Sequence, residues 1–173
     1  MGYQVVQRVL LIVLIAGSCI GCDRMTKSMA MNDLQRGIRL SFASDLIRLQ
    51  YEENSGAMLS IGSDLPPGVR FWVFTVLIGG LLGGLFVFVL LTRSVGLGDV
   101  VAASLVLGGG FGNLIDRIMY DGVVIDFLNI GVGGLRTAVF NVADVSVITG
   151  VALIVVLHLR HGGEPSSPEQ PQP

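Results

Sequence analysis

Residues 71–91 run for 21 positions without a charged side chain. Wound as a helix at 1.5 Å per residue, that is roughly 31 Å, the thickness of a bilayer's hydrocarbon core. Residues 5–22, 100–117 and 138–157 are apolar blocks of the same kind, broken by only a few polar side chains. The 173-residue chain is 51% hydrophobic and 14% charged, against roughly 25% charged for a soluble domain. These runs predict a membrane all-α bundle of four transmembrane helices within a single domain, residues 1–161. Residues 162–173, rich in Pro, Ser and Gln, read as a disordered tail. The first run could be a cleavable signal, because Ala16-Gly17-Ser18 precedes Cys19. With three further spans following it, a retained first helix is the expectation.

Residues 23–70 are too long for a simple turn. Ile47, Leu49 and Tyr51 alternate with Arg48 and Gln50, which is the period of a strand. Asn54-Ser55-Gly56 reads as a turn and residues 57–61 as a second short strand, before Pro66-Pro67-Gly68 breaks the chain. A small extramembrane β-cradle over about 38–62, between helices 1 and 2, is expected. Gly79/Gly83 and Gly80/Gly84 on the second run predict close helix packing, as do Gly108, Gly109, Gly110 and Gly112 on the third.

Against this apolar background, ionisable groups at the ends of spans are functional candidates by default. Asn113, Asp116 and Arg117 fall at i, i+3 and i+4, so they share a helix face at the end of span three. Asn141 and Asp144 stand at i, i+3 on span four, and Asp126 follows three β-branched residues in the intervening loop. A salt-bridged helix cap is the simpler reading of Asp116 with Arg117. Asp144 has apolar flanks and no cation near it in sequence, so a functional role is favoured there. Two carboxylates brought close cannot both ionise cheaply, so the pair Asp126 and Asp144 offers an acid and a base at one place, the chemistry of an aspartic peptidase. Other chemistries lack their parts. His158 and His161 lie beyond the far end of span four, no HExxH zinc motif exists, and no metal or cofactor is expected. A net charge of −2 without a basic patch gives no sign of nucleic acid.

Five stretches taken together resemble bacterial lipoprotein signal peptidase (signal peptidase II). They are Asp23-x-x-x-Lys27, Glu53-Asn54-Ser55-Gly56-Ala57, Gly112-Asn113-x-x-Asp116-Arg117, Val124-Ile125-Asp126-Phe127 and Phe140-Asn141-x-Ala143-Asp144. The likeness covers nearly the whole chain, in order. It implies a dyad of Asp126 and Asp144. Asn54, Gly56, Asn113, Asp116, Arg117 and Asn141 are carried over as groups lining or supporting the site, and Asp23 and Lys27 as the pair closing helix 1. The substrate implied is a prolipoprotein whose cysteine already carries diacylglyceryl, cut before that cysteine. The setting implied is a multi-pass protein, acting as a monomer among membrane lipid. It would sit in the bacterial inner membrane with its site toward the periplasm and both termini in the cytoplasm. The charge count pulls the other way. Eight of the eleven Lys and Arg lie in the two loops assigned to the periplasm, and a positive-inside count alone would put those loops in the cytoplasm. That count is discounted because the first loop is long and folded.

Three motifs mislead. Cys19-x-x-Cys22 has redox spacing but lies inside an apolar helix. Gly96-Leu97-Gly98-Asp99 copies the GxGD of other intramembrane aspartic peptidases, yet falls on the opposite side of the membrane from Asp126 and Asp144, and reads as a turn and helix-start acid. Tyr120-Asp121 precedes no suitable span. Two competing classes remain: a small transporter or assembly factor with a polar cluster, and a lipoprotein anchored at Cys19 or Cys22.

Overall fold

The structure, a computed structural model, describes residues 2–34, 37–57 and 60–161. The expected tail at 162–173 lies outside the described residues. The elements in chain order are α1 (Gly2–Asp33), β1 (Arg39–Phe42), β2 (Ile47–Asn54), α2 (Pro67–Leu91), α3 (Leu97–Met119), β3 (Val124–Val132), β4 (Leu135–Arg136) and α4 (Val142–His161). Four of these helices are long and apolar enough to cross a membrane. Helix α3 is the hub, packing against α1, α2 and α4.

The helix bounds depart from the expectation in ways that matter for the site. Helix α1 was expected to stop near residue 22, but continues to Asp33. The reason lies in the spacing of Asp23, Lys27, Ala30 and Leu34, all buried on one helical face. Charge alone does not end a helix when an i, i+4 pair satisfies itself, and Lys27 Nζ sits 2.7 Å from Asp23 Oδ2. At the other extreme, α4 starts at Val142 rather than 138. Residues 138–140 are extended because Phe140 exchanges backbone hydrogen bonds with Leu128, each 2.8 Å. Helix α2 begins at Pro67, where a fixed φ suits the first turn, and α3 begins at Leu97. Residues Phe71–Leu77 of α2 wind with the wider π-helical turn, and Phe74 is buried there.

The sheet draws on two loops, not one. It has four antiparallel strands in the order β1-β2-β3-β4. The cradle expected between helices 1 and 2 supplies β1 and β2, while β3 and β4 come from between α3 and α4. The described residues of the second strand expected at 57–61 form no strand; Ala57 instead donates to Ile61 O at 2.8 Å, and residues 58–59 lie outside the described residues. Strand β2 pairs with β3 so that Glu52 stands opposite Asp126 and Asn54 opposite Val124. Phe127 packs on Ala30 and Leu34, which seats the sheet on the end of α1.

The glycines divide sharply. A Cβ added at Gly80, Gly83 or Gly84 would meet nothing within 4 Å, and at Gly79 only a Leu114 methyl at 3.5 Å. Among the described residues the expected packing seam on α2 is absent. On α3 the expectation holds: a Cβ on Gly109 would lie 2.2 Å from Ala143 O, and one on Gly112 would lie 3.0 Å from Asp23 Oδ2. Missing side chains there let the start of α4 and Asp23 of α1 approach the backbone of α3.

Candidate active site

The start of α4 is built by Asn141 and Asp144. Asn141 Oδ1 accepts from the Asp144 N–H at 2.9 Å, and Asp144 Oδ2 accepts from the Asn141 N–H at 3.1 Å. This reciprocal cap satisfies two donors that a helix start leaves open. It also fixes both side chains at one level of the bundle. Asn141 then uses its amide beyond the helix: Nδ2 donates to Asp126 Oδ1 at 2.6 Å and to Asn113 Oδ1 at 3.1 Å. One fully buried asparagine therefore touches Asp126 with its side chain and Asp144 with its backbone.

Each carboxylate has a second amide. Asn54 Nδ2 donates to Asp126 Oδ2 at 3.0 Å, and Asn113 Nδ2 donates to Asp144 Oδ1 at 2.8 Å. Asn113 is in turn oriented by Lys27, whose Nζ donates to Asn113 Oδ1 at 3.0 Å. Asp126 is 2% exposed. Burial pushes its carboxyl up to about 7; the charge of Asp144 adds to this, and the amides of Asn54 and Asn141 oppose it.

Behind the pair lies an ion cluster with no exposure at its centre. Asp23, Lys27 and Asp116 are all fully buried. Lys27 Nζ is 2.8 Å from Asp116 Oδ2, Asp23 Oδ1 accepts from the Ala143 N–H at 2.9 Å, and Asp116 Oδ2 accepts from the Ile125 N–H at 3.1 Å. Asp23 thus holds the first turn of α4, and Asp116 holds the residue next to Asp126. The expected pairing of Asp116 with Arg117 is not formed. Asp116 pairs with Lys27 and Arg24 on α1. Arg117 points elsewhere, with Nη2 donating to Gly56 O at 2.9 Å and its guanidinium lying 5.7 Å from the centre of the Phe74 ring. Its Nε is buried without a hydrogen-bond partner among the described residues.

Gly56 closes this wall. Its N–H donates to Asn54 Oδ1 at 2.9 Å, and a Cβ there would lie 2.6 Å from Ile61 O, so only glycine fits. All ten residues singled out from the sequence fall in this one connected region. Two that sequence reasoning missed are Arg24 and Phe74. Arg24 stood beside Asp23 and three positions before Lys27 on the continuing helix, a signal hidden once α1 was ended at 22.

Two cavities meet at the carboxylates. One, about 440 Å³, runs along residues 137–140 and the α4 face at Val145, Ile148 and Thr149. The other, about 250 Å³, enters between α2, α3 and α4 past Leu82, Gly110 and Val147. Asn54, Asp126 and Asp144 line both. A larger groove of about 610 Å³ lies at the opposite end of the bundle, with Arg8 the only charged residue among its described lining. The Arg8 guanidinium there is engaged by the carbonyls of Val89, Thr92, Arg93 and Val95. Carboxylates line the other two cavities instead.

The family model described as signal peptidase (SPase) II matches residues 15–160. The chain belongs to the signal peptidase II family. Among its curated relatives, the lipoprotein signal peptidase of Leifsonia xyli subsp. xyli is 34% identical over 157 residues, covering 87% of this chain and 68% of that protein. That of Rhodococcus jostii is 33% identical over 162 residues, covering 88% and 74%. That of Polynucleobacter necessarius subsp. necessarius is 35% identical over 144 residues, covering 80% and 82%. Two solved structures, each described as a bacterial membrane enzyme determined by the in meso method, superpose with TM-scores of 0.79 and 0.76 at 28% identity. The first covers 91% of this chain and 93% of its own. As a signal peptidase II, the chain is a peptidase, and it is a multi-pass membrane protein.

Proposed function

We propose that this chain removes the signal peptide of diacylglyceryl-modified prolipoproteins, cutting before the lipid-bearing cysteine, with Asp126 and Asp144 as an aspartic dyad. The observation that carries the reading is the double contact of Asn141, which ties the two carboxyl groups to one point where two cavities meet. The family supplies the reaction class.

The chemistry follows from two acids sharing a proton. With its carboxyl raised to about 7 by burial, Asp126 carries the proton and hydrogen-bonds the scissile carbonyl oxygen. Asp144 takes a proton from water, and the resulting hydroxide adds to the carbonyl carbon. When the tetrahedral carbon collapses, the C–N bond breaks, the amine leaves with a proton from the dyad, and the signal peptide ends in a carboxylate. Asn54, Asn113 and Asn141 keep the two side chains in place without adding charge. The Nε of Arg117, unpartnered among the described residues, supplies a buried donor for a substrate carbonyl that has lost its water. Asp23, Lys27 and Asp116 position the backbone of Ala143 and Ile125.

Every group in this scheme comes from one chain, so a monomer is sufficient. The lipid of the substrate would enter from the membrane past Val145 and Ile148, which line the cavity and are exposed. In the inner membrane the dyad would face the periplasm and both termini the cytoplasm. The deciding experiment is cleavage of a diacylglyceryl-modified precursor peptide by purified protein. The expected result is one new amino-terminal lipid-modified cysteine, with no product from Asp126→Asn. No product from the wild-type protein, or equal cutting of an unmodified peptide, would overturn the reading.

A further inference from the structure

The charges around the carboxylates come in nearly balanced numbers. From α1 they are Asp23, Arg24 and Lys27, from α3 Asp116 and Arg117, from β3 Asp126 and from α4 Asp144. Strand β2 adds Glu52, opposite Asp126, and Glu53, both exposed to water and screened by it. Tyr120 contributes a hydroxyl, to which Arg24 Nη2 donates at 3.2 Å. Among the described residues, and leaving the two exposed glutamates aside, four carboxylates face three cations. The cluster is therefore neutral when Asp126 and Asp144 together hold one proton, the state the proposed reaction requires. At a membrane edge an unbalanced buried charge is expensive, so this count has energetic weight.

We propose that Arg24 is a positioning residue that acts through Asp116 to hold the dyad in its singly protonated state. Its guanidinium pairs with Asp116 Oδ1 while Lys27 takes Oδ2, and the same Oδ2 accepts the Ile125 N–H beside Asp126. Its ring contact with Tyr120, 5.7 Å from guanidinium to centroid, keeps it over the end of α3. Lys27 alone would neutralise only one of the two buried acids it touches, Asp23 and Asp116. Arg24 is the second cation. Without it the cluster carries a surplus negative charge, and the dyad answers by taking up a second proton. This inference rests on the peptidase reading above.

The test is the pH dependence of kcat/KM for cleavage of the lipid-modified peptide, with melting temperature measured alongside. Arg24→Gln should move both limbs of the bell to higher pH by about one unit, a roughly tenfold loss on the acid side. Arg24→Lys should keep the wild-type profile. Asp116→Asn should move the bell the opposite way, and the double variant Arg24→Gln, Asp116→Asn should bring it back. Should Arg24→Gln fail to fold, the downward shift in Asp116→Asn decides the same question. A folded Arg24→Gln enzyme with a lower rate but an unmoved bell would overturn the proposal, as would an Asp116→Asn bell that does not move down. Failure of wild-type protein to cleave would instead sink the peptidase reading itself.

Discussion

Asp99 and Asp144 do the same local work at opposite ends of the bundle. Each stands in the first turn of a spanning helix and accepts the N–H of the residue three before it, Gly96 to Asp99 at 3.1 Å and Asn141 to Asp144 at 3.1 Å. The difference lies in what else arrives. Gly96 has no side chain to return the bond, and Asp99 Oδ2 has only its own cap among the described residues. Asn141 returns the bond to Asp144 and reaches on to Asp126, and Asn113 comes across from α3. The two arginines repeat the contrast. Arg8 is used up on four backbone carbonyls, whereas Arg117 keeps a buried donor in reserve at a cavity. A helix-start acid becomes a candidate for chemistry only where long-range partners converge on it.

The largest expected break of this comparison is Asp144→Asn. It should lower kcat/KM by about 10³-fold or more, while Asp99→Asn stays within about twofold of wild type. Cleavage assays on both variants check it, and equal losses would erase the distinction between the two ends. Asn141→Ser sharpens the point by separating capping from reach. Serine caps a helix about as well as asparagine, so melting temperature should fall only by what the lost buried bonds to Asp126 and Asn113 contribute. Since its shorter side chain cannot span to Asp126, the rate should fall about 10²-fold.

The arginines predict a smaller split. Arg117→Lys keeps the charge but loses the planar fork, so KM should rise about tenfold with stability largely kept. Arg8→Lys should leave KM and kcat alone and lower the melting temperature, because carbonyls at the end of α2 lose their donors. The smallest effect concerns pH and stability. Asp126 is raised to about 7 in the folded protein, so the folded state binds the proton more tightly than the unfolded chain. That contribution is fully present below about 4, the ordinary carboxyl range, and is lost as pH rises to about 7. Asp126→Asn should therefore melt higher than wild type at pH 8, by a few degrees, with the gap closing toward pH 4. A gap independent of pH would contradict it.

Much of the site was legible because its residues are polar in runs that otherwise exclude polarity. Asn113, Asp116, Arg117, Asn141 and Asp144 needed only helical spacing to be grouped on faces, and Asp126 stood out after three β-branched residues. What spacing cannot give is the partner across the bundle. Asp116 looked paired to its neighbour Arg117, yet successive residues on a helix point about 100° apart, and the two diverge toward α1 and toward Gly56. The glycines of α2 and α3 look alike in sequence. Only the α3 set lies under other backbone, since glycine spacing records a possible approach and not who approaches.

By itself, the sequence determined the solvent: four lipid-length helices, because backbone groups in hydrocarbon must bond within their own segment. It also determined which side chains were too costly there to be idle. Tertiary structure decided where those side chains meet. It carried α1 past its charged residues, drew the sheet from two separate loops, and left Asp99 as a cap while Asp144 joined Asp126. Those outcomes depend on contacts between residues far apart in the chain. No local pattern encodes them, because each depends on which distant segments pack together.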